Sequence, residues 1–208
     1  MNGRNTLFRL RLGDRPRGLS HAGFSMIELL IVIGILAILF TFMYKGFERL
    51  NRYYTAENVK ANTQQSARIG IEMMVQDIRL AGLNPLGTAG AGIVAASPTS
   101  FQFTADANFD GDLDDPFENI TYDLNGTDLR QRNSNLLLSP NFEVLLSNVT
   151  TLVFTYLDDT GTAIPTADLA TRRADIRTVG ITLTVNRPAG RDGTVSRTYT
   201  TQVRCRNL

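Results

Sequence analysis

Residues 24–44 form a continuous apolar run broken by a single charge, the carboxylate of Glu28. The run is 21 residues long and includes 13 Leu, Ile, Val and Phe side chains. As a helix rising roughly 1.5 Å per residue it reaches about 31 Å, which matches the roughly 30 Å hydrocarbon core of a bilayer. Each large apolar side chain contributes about −0.3 to −0.6 kcal/mol at a membrane helix centre, so the sum is roughly −4 to −8 kcal/mol against about +3 for one acid. Insertion is favoured with the acid in place. Glu28 still costs free energy that a leucine would not. It is either a helix-end group that reaches the headgroups and the positive end of the helix dipole, or a group that meets a cationic partner.

The residues before the run set its orientation. Five arginines (Arg4, Arg9, Arg11, Arg15 and Arg17) stand against one acid, Asp14. A chain of net charge +1 therefore leaves −3 on the remainder. Basic charge ahead of an apolar segment holds that end in the cytoplasm and sends residues 45–208 outward. In a cleaved secretory signal, small-residue cleavage sites follow the apolar region. Here the best candidate, Gly23, precedes it, so cleavage there retains the helix.

The stretch Gly23-Phe24-Ser25-Met26-Ile27-Glu28 with its apolar helix resembles the type IV prepilin processing signal. The resemblance implies cutting by a prepilin peptidase between Gly23 and Phe24, followed by methylation of the new Phe24 amine. It also implies a partner for Glu28, the fifth residue of the product: the Phe24 ammonium of a neighbouring subunit during assembly. Other pilin or pseudopilin subunits and an inner-membrane assembly platform are the implied partners. The implied location is the bacterial inner membrane, single-pass, with the head periplasmic and later on a pilus at the cell surface.

Beyond Tyr44 the pattern becomes amphipathic. Glu48 and Arg52 are an i,i+4 pair, and Ala67, Ile71, Met74 and Ile78 recur at helical spacing beside Val75. Gly82 and Pro85 form a stop signal. The helix is expected over residues 24–81, with Gly34, Gly46 and Gly70 as weak points and its second half docked on a sheet. Residues 73–83, MMVQDIRLAGL, resemble the corresponding part of W-type minor pilins and J-type minor pseudopilins, above all Asp77-Ile78-Arg79-x-Ala81-Gly82. The expected divisions are a leader at 1–23, a membrane or filament-core helix at 24–46, an amphipathic half at 47–82, and a β-rich head at 83–208.

Within the head, residues 83–99 have the Gly, Ala and Pro content of a linker. Alternating or β-branched runs at 101–104, 119–124, 127–132, 149–157, 176–186 and 195–204 predict strands, with hairpins at Asn125-Gly126 and 188–193. Residues 162–174 lack either period and are expected to be an irregular loop. The fold class is α+β: a long N-terminal helix against an antiparallel meander of five to seven strands.

One segment suggests metal chemistry. Asp106, Asn108, Asp110, Asp112 and Asp114 alternate with other residues, and Gly111 stands sixth, as in the first half of a calcium loop. The twelfth position is Phe117, and Glu118 falls one residue late. The expectation is a shorter calcium loop using those five residues, with Asp112 contributing its carbonyl. The competing reading is a solvated acidic turn, which Asp, Asn and Gly favour without any ion.

Other classes of function find little support. Arg172, Arg173 and Arg177 lack the interleaved aromatics of a nucleic-acid surface. The only histidine, His21, falls in the leader, which removes the usual general base and the commonest zinc ligand from the processed chain. An enzyme is not expected, and no cofactor is required. Cys205 is the only cysteine, leaving an unpaired thiol or an intermolecular bond as its options. The preferred function is a minor subunit in type IV pilus assembly or initiation. The alternatives are a minor pseudopilin of type II secretion and, in another class, a membrane-anchored binding or enzymatic ectodomain.

Overall fold

The computed structural model describes residues 23–133, 142–189 and 193–208. The basic leader, His21 included, and the centre of the 188–193 turn lie outside the described residues. The chain divides into two units, Met1–Glu48 and Arg49–Leu208.

One helix, α1, runs Met26–Leu80 over 55 residues. Ser25 precedes it and its carbonyl accepts from the amides of Glu28 and Leu29, which opens the first turn. In the first unit the apolar side chains from Phe24 to Phe47 are exposed on every face. That is the pattern of a helix whose surroundings are themselves apolar, and the segment is long and apolar enough to cross a membrane.

In the second unit the buried positions of α1 contract to one stripe: Thr63, Ala67, Gly70, Ile71, Met74 and Ile78. The predicted stripe is borne out and extends one turn further, to Thr63, whose hydroxyl turns inward and bonds the Val59 carbonyl at 2.6 Å. Gly70 lies within the stripe, facing both sheets. A Cβ there would lie 3.5 Å from Leu146, 3.7 Å from Leu129 and 3.9 Å from Leu183.

Those three leucines come from two different sheets. The five-stranded sheet has order β1-β2-β3-β4-β5, from Ile93–Ala96, Ser100–Thr104, Asn119–Asn125, Asp128–Asn133 and Glu143–Ser147. The three-stranded sheet has order β6-β7-β8, from Val149–Leu157, Thr178–Pro188 and Thr194–Arg204. All pairings are antiparallel. The expected α+β class holds, but a single meander of five to seven strands does not: among the described residues there are eight strands in two sheets. Asn148 makes the break. Its φ of 67° lies in the left-handed region that asparagine tolerates better than most residues, and it turns the chain from β5 into β6.

Two further expectations are corrected. The 83–99 linker contains strand β1, and the irregular loop at 162–174 contains a bridge from Ala163 to Leu157 and a short 3-10 turn at Thr166–Asp168, with another at Arg173–Asp175.

The core lies where the stripe of α1 meets both sheets, with Phe101, Phe103, Tyr122, Leu129, Leu152, Ile181 and Leu183 all buried. The rings of Phe101 and Phe154 lie 5.9 Å apart, within the range of favourable aromatic pairing. Gly82 ends the helix at φ 80°, its amide donating to Thr104 on β2 at 2.9 Å. Cys205 is buried, and desolvation pushes its thiol up to about 11 despite the nearby Arg177. It is therefore a packed, protonated thiol.

Met74 is fully enclosed, so Met74→Ala is expected to destabilise the head by about 2–5 kcal/mol, read as a lowered urea midpoint. Met73→Ala, one residue away and exposed, is expected to shift the midpoint by less than about 0.5 kcal/mol.

Candidate functional site

Gly23, Phe24 and Ser25 precede the helix in non-helical conformation, and Phe24 is 81% exposed. Among the described residues nothing lies within 4 Å of the space a Gly23 Cβ would occupy. Glu28 sits in the first turn of α1, exposed, where the free amides favour an anion. No ion pair to Glu28 occurs among the described residues.

The acidic segment is more ordered than a solvated turn. It leaves β2 at Asp106 and rejoins the sheet at Glu118, immediately before β3, and both carboxylates are buried. Each ties down loop backbone. Asp106 accepts from the amides of Phe109 at 2.7 Å and Gly111 at 3.1 Å. Glu118 accepts from Ala107 at 3.1 Å and Asp115 at 3.0 Å. Asn108 donates to Asp110 at 2.8 Å and to Asp115 at 2.6 Å, and Asp110 and Asp112 each accept from the amide two residues on.

This folding brings carboxylate oxygens together in two groups. Asp106, Asp110 and Glu118 lie within 4.8 Å of one another, as do Asp110, Asp112 and Asp115. Of the five predicted calcium ligands, Asp106, Asp110 and Asp112 belong to these groups. Asn108 contacts them through Asp110 and Asp115, and Asp114 belongs to neither. Glu118 and Asp115 were missed. Glu118 is one residue late by the linear spacing, but positive φ at Phe109, Gly111 and Phe117 shortens the path of the loop and returns Glu118 to the start. The loop's own bonds separate its titrations: the Asp112 amide holds Asp110 below the usual carboxylate range, while sharing a proton with Asp112 raises Asp114.

A third polar group, not foreseen as a site, pins the helix to the sheet. Tyr122 on β3 donates to Asp77 on α1 at 2.5 Å, and the Gln131 amide on β4 donates to the same oxygen at 2.8 Å. The signal in the sequence is an acid beside Ile78 on the docking stripe. Burial pushes the Asp77 carboxyl above its ordinary value, outweighing the two donors that favour the ion.

Residues 19–44 match a family model described as the prokaryotic N-terminal methylation motif. No curated protein matches the chain.

Because the native pKa of Asp77 is raised, its ionisation opposes folding. Its stabilising contribution is complete below the unfolded value and is lost as pH rises through the native one. Asp77→Asn keeps an acceptor for Tyr122 and removes the ionisation. Its urea midpoint relative to the parent is expected to rise as the pH climbs from the ordinary carboxylate value through the raised native one, and parallel curves would show that Asp77 is not the group responsible.

Proposed function

We propose that this type IV pilin-like protein, a chain built on the prepilin methylation motif at residues 19–44, is a minor pilin acting in type IV pilus assembly or initiation. Pilin and pseudopilin subunits are structural rather than catalytic, and the motif implies processing by a prepilin peptidase and assembly with other pilin subunits. In the proposed sequence of events the basic leader is removed at the Gly23–Phe24 bond and the Phe24 amine is methylated. The retained helix then packs among the helices of neighbouring subunits.

The observation that carries this reading is the coincidence of three features in one segment. The matched motif, an exposed Phe24 after Gly23 and a helix apolar on every face lie together, with a single acid four residues after Phe24. Processing supplies what that acid lacks. Hydrolysis of the bond creates an ammonium on Phe24, and in a staggered bundle the ammonium of one subunit neutralises Glu28 of the next. In an apolar surround an unpaired charge costs several kcal/mol, so pairing favours the register in which the two groups meet. The W-type resemblance at 73–83 supports a minor rather than a major subunit.

The N-terminal mass of the protein from cells with and without the peptidase tests the processing step. The expected product begins at methylated Phe24 and is missing without the peptidase; a chain that still begins at Met1 in peptidase-positive cells would overturn the reading. Glu28→Leu is expected to insert into the membrane as well as the parent, or by about 3 kcal/mol better, and to lose filament incorporation. Undiminished incorporation would instead favour an ectodomain on an ordinary anchor. Loss of pili on deleting the chain, with secretion intact, separates a minor pilin from a pseudopilin.

We further propose that the acidic loop takes a hard cation of the calcium class at Asp106, Asp110 and Glu118. The support is the two buried carboxylates brought within 4.8 Å of each other and of Asp110, since calcium is held by clustered carboxylate and carbonyl oxygens. Titrating the full chain in detergent with calcium is expected to raise the melting temperature, with reversal by chelator. An unchanged melting temperature at millimolar calcium would remove the metal from the account.

A further inference from the structure

The three-stranded sheet has two edges, and the chain treats them differently. On β6 the Phe154 amide donates to Pro98 at 2.7 Å, and the Tyr156 carbonyl accepts from Ile164 at 2.8 Å. The opposite edge, β8, pairs with β7 alone. Its register with β7 runs unbroken from Thr194 to Arg204. Beyond either end the pairing continues, the Ala189 amide donating to Gly193 at 2.7 Å and the Cys205 amide to Arg177 at 2.9 Å. Those two bonds set the phase. Odd-numbered residues of β8 bond β7, and the even-numbered ones turn their N–H and C=O groups to the open side. Thr198, Thr200 and Gln202 are exposed there, and among the described residues their backbone groups meet no backbone partner on that side. An open run of this length is a liability unless something lies against it.

Beside that edge the sheet stops short of covering α1. A groove of about 610 Å³ lies between Tyr199 on β8 and a helix face that includes Ala61, Gln65, Arg68 and Ile69. Ile69 is 49% exposed, and Tyr199 is partly buried against the core. The odd positions of β8 are the half-buried ones, so Arg197 shares the side of the sheet that Tyr199 occupies. Within the groove Arg68 is neutralised by Glu72 at 2.7 Å. Arg197 donates to the Ser196 carbonyl at 3.0 Å, and among the described residues it has no carboxylate within ion-pair distance. β8 carries Arg197 and Arg204 and no acid.

We propose that the groove between α1 and β8 takes an extended, acidic segment of a different polypeptide as an added strand. Its backbone continues the sheet through Thr198, Thr200 and Gln202, and its side chains alternate between the groove and the outer face. In the groove an apolar residue meets Tyr199 and Ile69, and a carboxylate lies opposite Arg197. On the outer face threonines extend two rows of hydroxyls already present, Thr184 to Thr198 at 2.9 Å and Thr182 to Thr200 at 3.2 Å. Charge argues against a second copy as the occupant, because another β8 edge would add two arginines and no acid. The site lies wholly within the second unit and does not depend on the processing or packing of the N-terminal segment.

The probe is a short synthetic peptide with threonine at alternate positions and, between them, valines and one aspartate. It is added to the full chain in detergent, and amide hydrogen exchange is read residue by residue. Exchange at Thr198, Thr200 and Gln202 is expected to slow at least about tenfold, while Tyr199 and Thr201, already bonded to β7, stay as they were. The same peptide with its threonine amides N-methylated keeps its charge and loses its outward donors, and is expected to give no protection. Lysine in place of the aspartate is expected to weaken binding at least about tenfold. Arg197→Glu is expected to reverse that preference, which also shows that the variant is folded. No slowing at roughly millimolar peptide, slowing indifferent to N-methylation, or a charge preference indifferent to Arg197→Glu would each overturn the proposal. Protection of the same three amides that grows with chain concentration in the absence of peptide would also overturn it, by assigning the edge to a second copy.

Discussion

A single helix has to be compatible with two different surroundings, and the rest of the chain follows from that. Over its first turns α1 is apolar on every face, which suits a medium that cannot hydrogen-bond; there a helix is one of the few structures whose backbone satisfies itself. Further along, the apolar positions narrow to the stripe from Thr63 to Ile78. In water a stripe of that kind is stable only if something covers it, and the two sheets supply the cover. The change in periodicity along one element therefore specifies both the anchor and the need for a head.

Coverage from two sheets places special demands on the helix surface. At Gly70 leucines from both sheets close on the helix so that a Cβ would just touch them, and a side chain longer than alanine's would have to displace them. Asp77 adds direction to the seam. Apolar contacts tolerate small slips, whereas an acid held by Tyr122 and Gln131 from adjacent strands has one register in which both donors are satisfied. The tie is polar at some cost in desolvation, and it fixes where along the sheet the helix sits.

Much of this was legible in the residues. Helix limits, the docking stripe and six of the eight described strands follow from periodicity and turn residues, because each is a local property. What escaped detection depends on contacts distant in sequence. Ile93–Ala96 is short, embedded among glycines, and becomes a strand only by pairing with β2. Glu143–Ser147 is five residues set off from the next strand by one left-handed asparagine, and no strand is expected there from its pattern. Glu118 was discounted by counting along the chain, whereas its position depends on how the loop folds back. The apolar N-terminal segment, by contrast, was readable because lipid imposes length and composition directly.

The interior thiol has a mechanical corollary. With Cys205 enclosed and protonated, the described residues offer no sulfur for oxidants to weld one copy to another. Whatever this chain adheres to through its described surface, it holds by reversible forces rather than by sulfur cross-links, and the charged share of such a contact weakens as salt is added, which a covalent bond would not.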